Sequence, residues 1–363
     1  MKVLYDYLGL FEPVGGVSRY FAEMIRRLPV DIEPKLAYVE TRNKYFAAAP
    51  YNIPLCKCSF YNFLSGINFK GKSIAYRTAA RLMPWKYPAA ELKNEAAFRE
   101  ELERGDFDVL HLTGPHYLGE DWKRVIGRKP IVVTIHDLVP ELFHVQPRAV
   151  RNRRFVLENA AQVIAVSENT KRDLERLYGV DEGKITVIHH GYSDSREERE
   201  ERVEGLEPGK FVLFVGKQGG YKNFKWMEAA LEPFLQERGM RLFATCGQTD
   251  AELRWLYRNA LAFVYPSKYE GFGIPILEAF ANGCPAVLSN CSCFPEVAGD
   301  AALYFGVEDG GAELRRQLAR LVDEPGLRGE MIAKGKSRLS EFSWDKCAES
   351  TATVYHKAME MAK

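Results

Sequence analysis

The sequence has no apolar run of the ~18 residues that a membrane-spanning helix needs. Its opening residues, Met1-Lys-Val-Leu-Tyr-Asp-Tyr, lack the long apolar core of a signal peptide, so a cytoplasmic protein is expected. Charge of one sign is not in excess: 50 Lys and Arg balance 49 Asp and Glu, for a net +1. A nucleic-acid partner would call for a basic surplus, and there is none overall. Cysteine is sparse and odd in number, seven in all, without disulfide-like spacing. That pattern fits reduced thiols. The pairs Cys56/Cys58 and Cys291/Cys293 lack the two-residue spacer usual in zinc sites and read as plain thiols. Acid is missing locally. Residues 41–90 hold no Asp or Glu but carry Arg42, Lys44, Lys57, Lys70, Lys72, Arg77, Arg81 and Lys86 among aromatic residues. Such a stretch suits an anionic membrane surface. It equally suits a solvated basic face over an ordinary core.

What is present is an α/β pattern. A hydrophobic fraction of 46% over 363 residues allows two domains. Short continuous β-rich runs (Val3-Leu-Tyr, Asp108-Val-Leu-His-Leu, Pro130-Ile-Val-Val-Thr-Ile, Gln162-Val-Ile-Ala-Val, Ile185-Thr-Val-Ile) alternate with helical segments. Strands buried on both faces of a parallel sheet read this way. The charged run Arg196-Glu-Glu-Arg-Glu-Glu-Arg202, followed by Gly205, Pro208 and Gly209, marks a connection, and Phe211-Val-Leu-Phe-Val-Gly216 begins a second α/β set. The expected organisation is a doubly wound domain over 1–190, a connection over 191–210 and a second doubly wound domain over 211–343. A last helix over 344–363 is expected to pack back on the first domain. Ligands of such sheets bind at the carboxyl ends of the strands, which here face a cleft.

Tyr265-Pro-Ser-Lys-Tyr-Glu-Gly-Phe-Gly-Ile-Pro-Ile-Leu-Glu278 is the stretch richest in chemistry. Gly271 and Gly273 allow close approach of backbone to a ligand, and Pro275 suits a first helical turn. Free N–H groups at a helix start bind anions. Glu270 stands just before that start and Glu278 about one turn into the helix, as hydroxyl acceptors on either side. Phosphate flanked by hydroxyls describes a nucleotide sugar.

The longer run from Ala262 through Pro285, continued by Phe294-Pro-Glu-Val-Ala-Gly-Asp-Ala-Ala-Leu-Tyr-Phe305, resembles the glutamate, seven residues, glutamate signature of retaining glycosyltransferases of family 4, which have the GT-B fold. Gly15-Gly-Val-Ser-Arg-Tyr20, Ile135-His-Asp-Leu-Val-Pro-Glu-Leu-Phe143, Val166-Ser-Glu-Asn-Thr170 and Gly216 to Asn223 add to the likeness, which is nearest to bacterial mannosyltransferase-like members. The resemblance implies two Rossmann-like domains facing across a cleft, with the acceptor on the N-terminal side. It implies that Glu278 holds the donor ribose and that Glu270 holds the transferred sugar. The N–H groups of Phe272, Gly273 and Ile274 would face sugar and phosphate. Lys222 would neutralise the diphosphate, His136 would contact the sugar or developing charge, and Gly16 would allow close approach of diphosphate or acceptor. The donor would be a GDP- or UDP-sugar, with GDP-mannose first, and the acceptor a growing surface glycan or a lipid-diphosphate-linked glycan. Leaving-group stabilisation by fixed charge needs no metal; no Asp-x-Asp metal motif is recognised, and metal independence is expected.

Two departures stand out. Many members of the family carry an arginine near Gly216 for the diphosphate; here Lys217 or Gln218 takes its place, and the resemblance implies that Gly216 and Lys217 bind the donor. The run from Arg241 to Tyr257 passes from a strand almost directly into a helix, so a C-terminal domain with a trimmed sheet is expected. These departures leave open a relative that binds a nucleotide sugar without transferring it. A different class also stays open: Gly66-Ile-Asn-Phe-Lys-Gly-Lys-Ser73 matches the P-loop pattern of NTPases.

Overall fold

A computed structural model describes residues 1–11, 15–55, 89–116, 118–119, 121–193 and 198–362. The Gly66–Ser73 pattern, Cys56, Cys58 and the greater part of the basic 41–90 stretch lie outside the described residues.

The strands fall into two all-parallel sheets. The first has the order β2-β1-β3-β4-β5-β6, from β1 (Lys2–Tyr5), β2 (Glu33–Leu36), β3 (Val109–Leu112), β4 (Ile131–Ile135), β5 (Gln162–Ala165) and β6 (Ile185–Val187). The second has the order β11-β10-β9-β7-β8, from β7 (Phe211–Phe214), β8 (Arg241–Ala244), β9 (Ala262–Tyr265), β10 (Ala286–Ser289) and β11 (Ala302–Phe305). Every residue of β3, β4, β5, β7, β9 and β10 is buried, which is why these strands read as nearly continuous apolar runs, interrupted by His111, Thr134, Gln162 and Ser289. The edge strand β2, Glu-Pro-Lys-Leu, is exposed in its first half and has no such signature; its proline is tolerated because one side of the strand is unpaired. In both sheets the strand order reverses around the first strand, β1 or β7, so the ligand crevice is expected at the ends of those two strands.

The helices that position the crevice are α1 (Gly16–Ile25), α2 (Glu168–Tyr178), α3 (Phe224–Arg238), α4 (Asp250–Asn259), α5 (Ile274–Ala281) and α6 (Trp344–Met361). The second sheet has five strands, with β8 at its edge. After β8 a capping box, in which Thr249 and Glu252 satisfy each other's backbone N–H groups, starts α4 at once. That local signal replaces a further strand.

Helix α6 follows the second sheet but buries Trp344, Cys347, Ala352, Val354 and Tyr355 in the core of the first. Its Tyr355 hydroxyl lies 2.6 Å from both the Tyr5 hydroxyl and Nδ1 of His111, and Nε2 of His111 lies 2.9 Å from Oγ1 of Thr134. The three strands β1, β3 and β4 are thus joined to the returning helix by one buried polar chain. Tyr355→Phe would leave two buried polar atoms unmatched and is expected to cost about 1–3 kcal/mol of unfolding free energy, read from urea denaturation with an unchanged m-value. The returning chain touches the outgoing one at Gly191: a Cβ there would sit 2.1 Å from the Trp344 nitrogen, so only glycine fits.

Candidate active site

The glycine turn before α5 is built for a helix start exposed to the cleft. Gly273, at φ 93°, occupies the left-handed region and precedes α5, with Pro275 in the first turn. Helix α1 begins with Gly16, and a Cβ on Gly16 would sit 3.2 Å from Cδ1 of Ile274. The amino ends of α1 and α5 therefore meet. Two helix starts with unpaired N–H groups and positive dipole ends at one point make a strong anion site.

The turn is held from both sides. The Ser292 hydroxyl accepts from the Glu270 N–H at 3.1 Å and donates to the Glu270 carbonyl at 2.5 Å. The Cys293 thiol lies 3.1 Å from the Phe272 carbonyl, and the Cys291 thiol 3.1 Å from that of Ser267. Across the cleft, the Ser167 hydroxyl donates to the Gly271 carbonyl at 2.6 Å, and the Tyr269 hydroxyl donates to Asp173 at 3.0 Å. Glu296 caps the backbone N–H groups of Glu168 and Asn169 at the start of α2 and lies 2.7 Å from Nε2 of His189. Burial works against that carboxylate's charge, but these hydrogen bonds outweigh it and hold its pKa below the usual value.

Gly271 is required by packing within the fold. A Cβ there would lie 1.6 Å from the His136 carbonyl oxygen and 2.7 Å from its carbon. The close approach that requires glycine is to the backbone that follows β4. Because the obstacle is backbone, Gly271→Ala is expected to undock the turn, with a cost of at least the ~1–3 kcal/mol typical of overpacking. Thermal unfolding with and without a bound nucleotide measures it.

Lys222 ends the turn Gly220–Lys222 that follows β7, just ahead of α3. Its Nζ lies 2.6 Å from Oε1 of Glu270 and 2.7 Å from the Tyr265 hydroxyl at the end of β9. Both partners of the Lys222–Glu270 pair are largely buried, at 15% and 12% side-chain exposure, so neither charge is spent in solvent. His136, just past β4, packs edge-on against Tyr20 at 5.0 Å and Phe21 at 5.6 Å, with its Nε2 buried and unpaired. Burial holds its pKa down at about 3, so the ring is neutral at pH 7. His190 stands 5.7 Å away with both ring nitrogens likewise unpaired. Gly216, at φ 136°, donates its N–H to Thr245 at 3.3 Å. Lys217 and Gln218 are exposed, and among the described residues no bond joins either to Lys222 or Glu270.

Glu278 lies one turn along α5 and is met by a residue to which the sequence reading assigned no role. Arg19 of α1 reaches across, Nη1 to Oε1 2.6 Å, while the Tyr257 hydroxyl from α4 donates to Oε2 at 3.2 Å. These groups line a cavity of about 270 Å³ with Tyr45 and Ile274 between the two sheets. Arg19 stood in the quoted Gly15–Tyr20 run; its place one turn beyond Gly16 was the available signal.

An Asp-x-Asp spacing does occur, at Asp106-Phe-Asp108, and this corrects the sequence reading. It lies at the amino end of β3, away from the crevice: Asp106 is bound by Lys2 and Lys35, and Asp108 accepts from the Lys2 N–H. Among the described residues no group of three His, Cys, Asp or Glu is placed to hold a metal ion. No helix among them is long and apolar enough to cross a membrane.

The family model described as Glycosyltransferase Family 4 matches residues 14–196, and that described as Glycosyl transferases group 1 matches residues 228–338. O-antigen chain mannosyltransferase B of Escherichia coli is 26% identical over 98% of this chain and 99% of its own length. The MMP alpha-(1->4)-mannosyltransferase of Mycolicibacterium hassiacum is 36% identical over 70% of this chain and 72% of its own. The crystal structure of Anabaena HepE with UDP and glucose superposes with a TM-score of 0.67 at 15% identity, covering 97% of this chain and 98% of that one, a likeness of fold. The two parallel-sheet domains, the glycine turn between its glutamates and these matches agree: the chain belongs to the group 1, family 4 glycosyltransferases of GT-B fold.

Proposed function

We propose that the protein transfers a hexose, mannose in the first instance, from a nucleotide-diphosphate sugar to a growing surface glycan or lipid-linked acceptor, with retention and without a metal. The observation that carries this reading is the meeting of the α1 and α5 amino ends beside the Lys222–Glu270 pair. A diphosphate leaving group placed there would be met by backbone N–H groups of Phe272, Gly273 and Ile274 and by the Lys222 ammonium. Those fixed charges stabilise the negative charge that develops as the glycosidic bond breaks, the kind of term that is often the largest in catalysis. Glu270 would then exchange its bond from Lys222 for the sugar's hydroxyls. Glu278 would take the ribose. The neutral His136 would contact the sugar without adding positive charge beside an oxocarbenium-like centre. Residues 1–190 would present the acceptor, and 211–343 the donor.

The mannosyltransferases of Escherichia coli and Mycolicibacterium hassiacum support mannose; HepE, solved with UDP and glucose, keeps a UDP-sugar as the next donor. Membrane docking through residues 41–90 belongs to the same reading, although Lys44 is engaged with Asp250 of α4 at 2.8 Å. The test is release of GDP or UDP from GDP-mannose or UDP-glucose in EDTA, with and without lipid-diphosphate-linked glycan, and NMR assignment of the product anomer. Donor turnover in EDTA giving the donor's anomeric configuration supports the reading. Turnover only with added magnesium, or inversion, overturns its finer part. Failure of every donor to turn over favours the binding-only relative.

A further inference from the structure

We infer that Arg19 is a donor-phosphate ligand, held on Glu278 until the donor arrives. This rests on the nucleotide-sugar reading of the cleft. Both oxygens of Glu278 are engaged: Arg19 holds Oε1 at 2.6 Å and the Tyr257 hydroxyl holds Oε2 at 3.2 Å. The side chains of Arg19 and Glu278 are each 23% exposed. A ribose that takes Glu278 competes with the guanidinium for its oxygens, and a charge so far removed from solvent is expected to turn to a nearby anion as that bond is shared or lost.

The fold supplies one place for it. Gly16 abuts Ile274 where the two helices start, and Arg19 and Glu278 each lie about one turn further along their own helix. The Arg19 backbone is therefore about one turn, roughly 5 Å along the axis, from the point where the helix starts would hold phosphate, a span that its long side chain can cover. Other arginines lining the cavity are committed elsewhere: Arg26 holds Glu23, and Arg254 holds Glu198 and the Arg199 carbonyl. Arg19 is different because its partner is the carboxylate that the ligand claims. A guanidinium grips phosphate through two parallel N–H bonds, which a lysine cannot reproduce. Arg19 would thus add, from the first domain, a bidentate grip to the point charge of Lys217 in the second.

Calorimetric titration in EDTA with GDP and UDP, and ligand-observed NMR with guanosine and uridine, test this on wild type, Arg19→Gln and Arg19→Lys. Melting temperatures check that each variant is folded. For the diphosphate that binds wild type, Arg19→Gln is expected to weaken binding about 10- to 100-fold, the range of a lost charged hydrogen bond. Arg19→Lys is expected to fall between, and affinity for the matching nucleoside to hold or rise as Glu278 is freed. Diphosphate affinity unchanged or tighter in Arg19→Gln would overturn the inference and make Arg19 only a competitor for Glu278. Equal losses for diphosphate and nucleoside would overturn it in favour of a structural role. Failure of both diphosphates to bind wild type would instead bring down the nucleotide-sugar reading itself.

Discussion

Lys222→Ala is expected to lower kcat for sugar transfer by about 10²–10³-fold, the loss seen when one preorganised donor to a developing negative charge is removed. Two effects add. The leaving diphosphate loses its ammonium, and Glu270, largely buried, loses the cation that neutralises it in the resting site. The Tyr265 hydroxyl also loses its partner. Lys222→Arg keeps the charge but needs room for a planar fork between Glu270 and Tyr265, so it is expected to recover only part of the rate. Single-turnover measurements at saturating donor separate the chemical step from binding. A Lys222→Ala enzyme within threefold of wild type in that assay would remove Lys222 from the chemistry.

Acidification is the second large effect. Burial holds His111 and His136 down at about 3 and His190 well below its ordinary value, so all three are neutral in the folded protein. Unfolded, each titrates near 6.5. The sign follows: the unfolded chain takes up protons that the folded one refuses, so this stability is present above pH ~6.5 and is lost as pH falls below it toward 3. Once all three unfolded histidines are charged, the slope approaches roughly 4 kcal/mol per pH unit, three protons at about 1.4 each. His116 runs the other way. Burial opposes its charge, but the Asp6 and Glu95 carboxylates, 3.0 and 3.2 Å away, win and raise its pKa to about 9. Its contribution persists in acid and is lost as pH rises from about 6.5 through 9. Urea midpoints from pH 7 to 5 should therefore fall steeply below 6.5. A slope equivalent to one proton or fewer between pH 6 and 5 would contradict the buried neutral trio.

The fold was legible because strands buried on both faces are nearly continuous apolar runs, and β3 to β5, β7, β9 and β10 read so apart from single polar residues such as His111 and Thr134. The edge strand β2 was not, since one exposed flank lets Glu33, Pro34 and Lys35 into it. Helix α1 starts at Gly16 after Gly15, a start with no side-chain cap to mark it in the sequence. At the site, the order Glu270, glycine turn, Glu278 was readable, being contiguous in sequence. The pairing of Lys222 with Glu270 spans 48 residues and that of Arg19 with Glu278 spans 259, so no local pattern encodes either. Gly271 shows the same boundary: its glycine was expected, but the backbone of His136 that requires it comes from the other sheet.

The most direct measurement is calorimetric titration of GDP and UDP into wild type and Glu278→Ala, both in EDTA. The account predicts that one of the two binds wild type without metal and that Glu278→Ala weakens it at least tenfold, as lost hydroxyl hydrogen bonds to a carboxylate should. Binding that requires magnesium, or that is unchanged when Glu278 is removed, would contradict it.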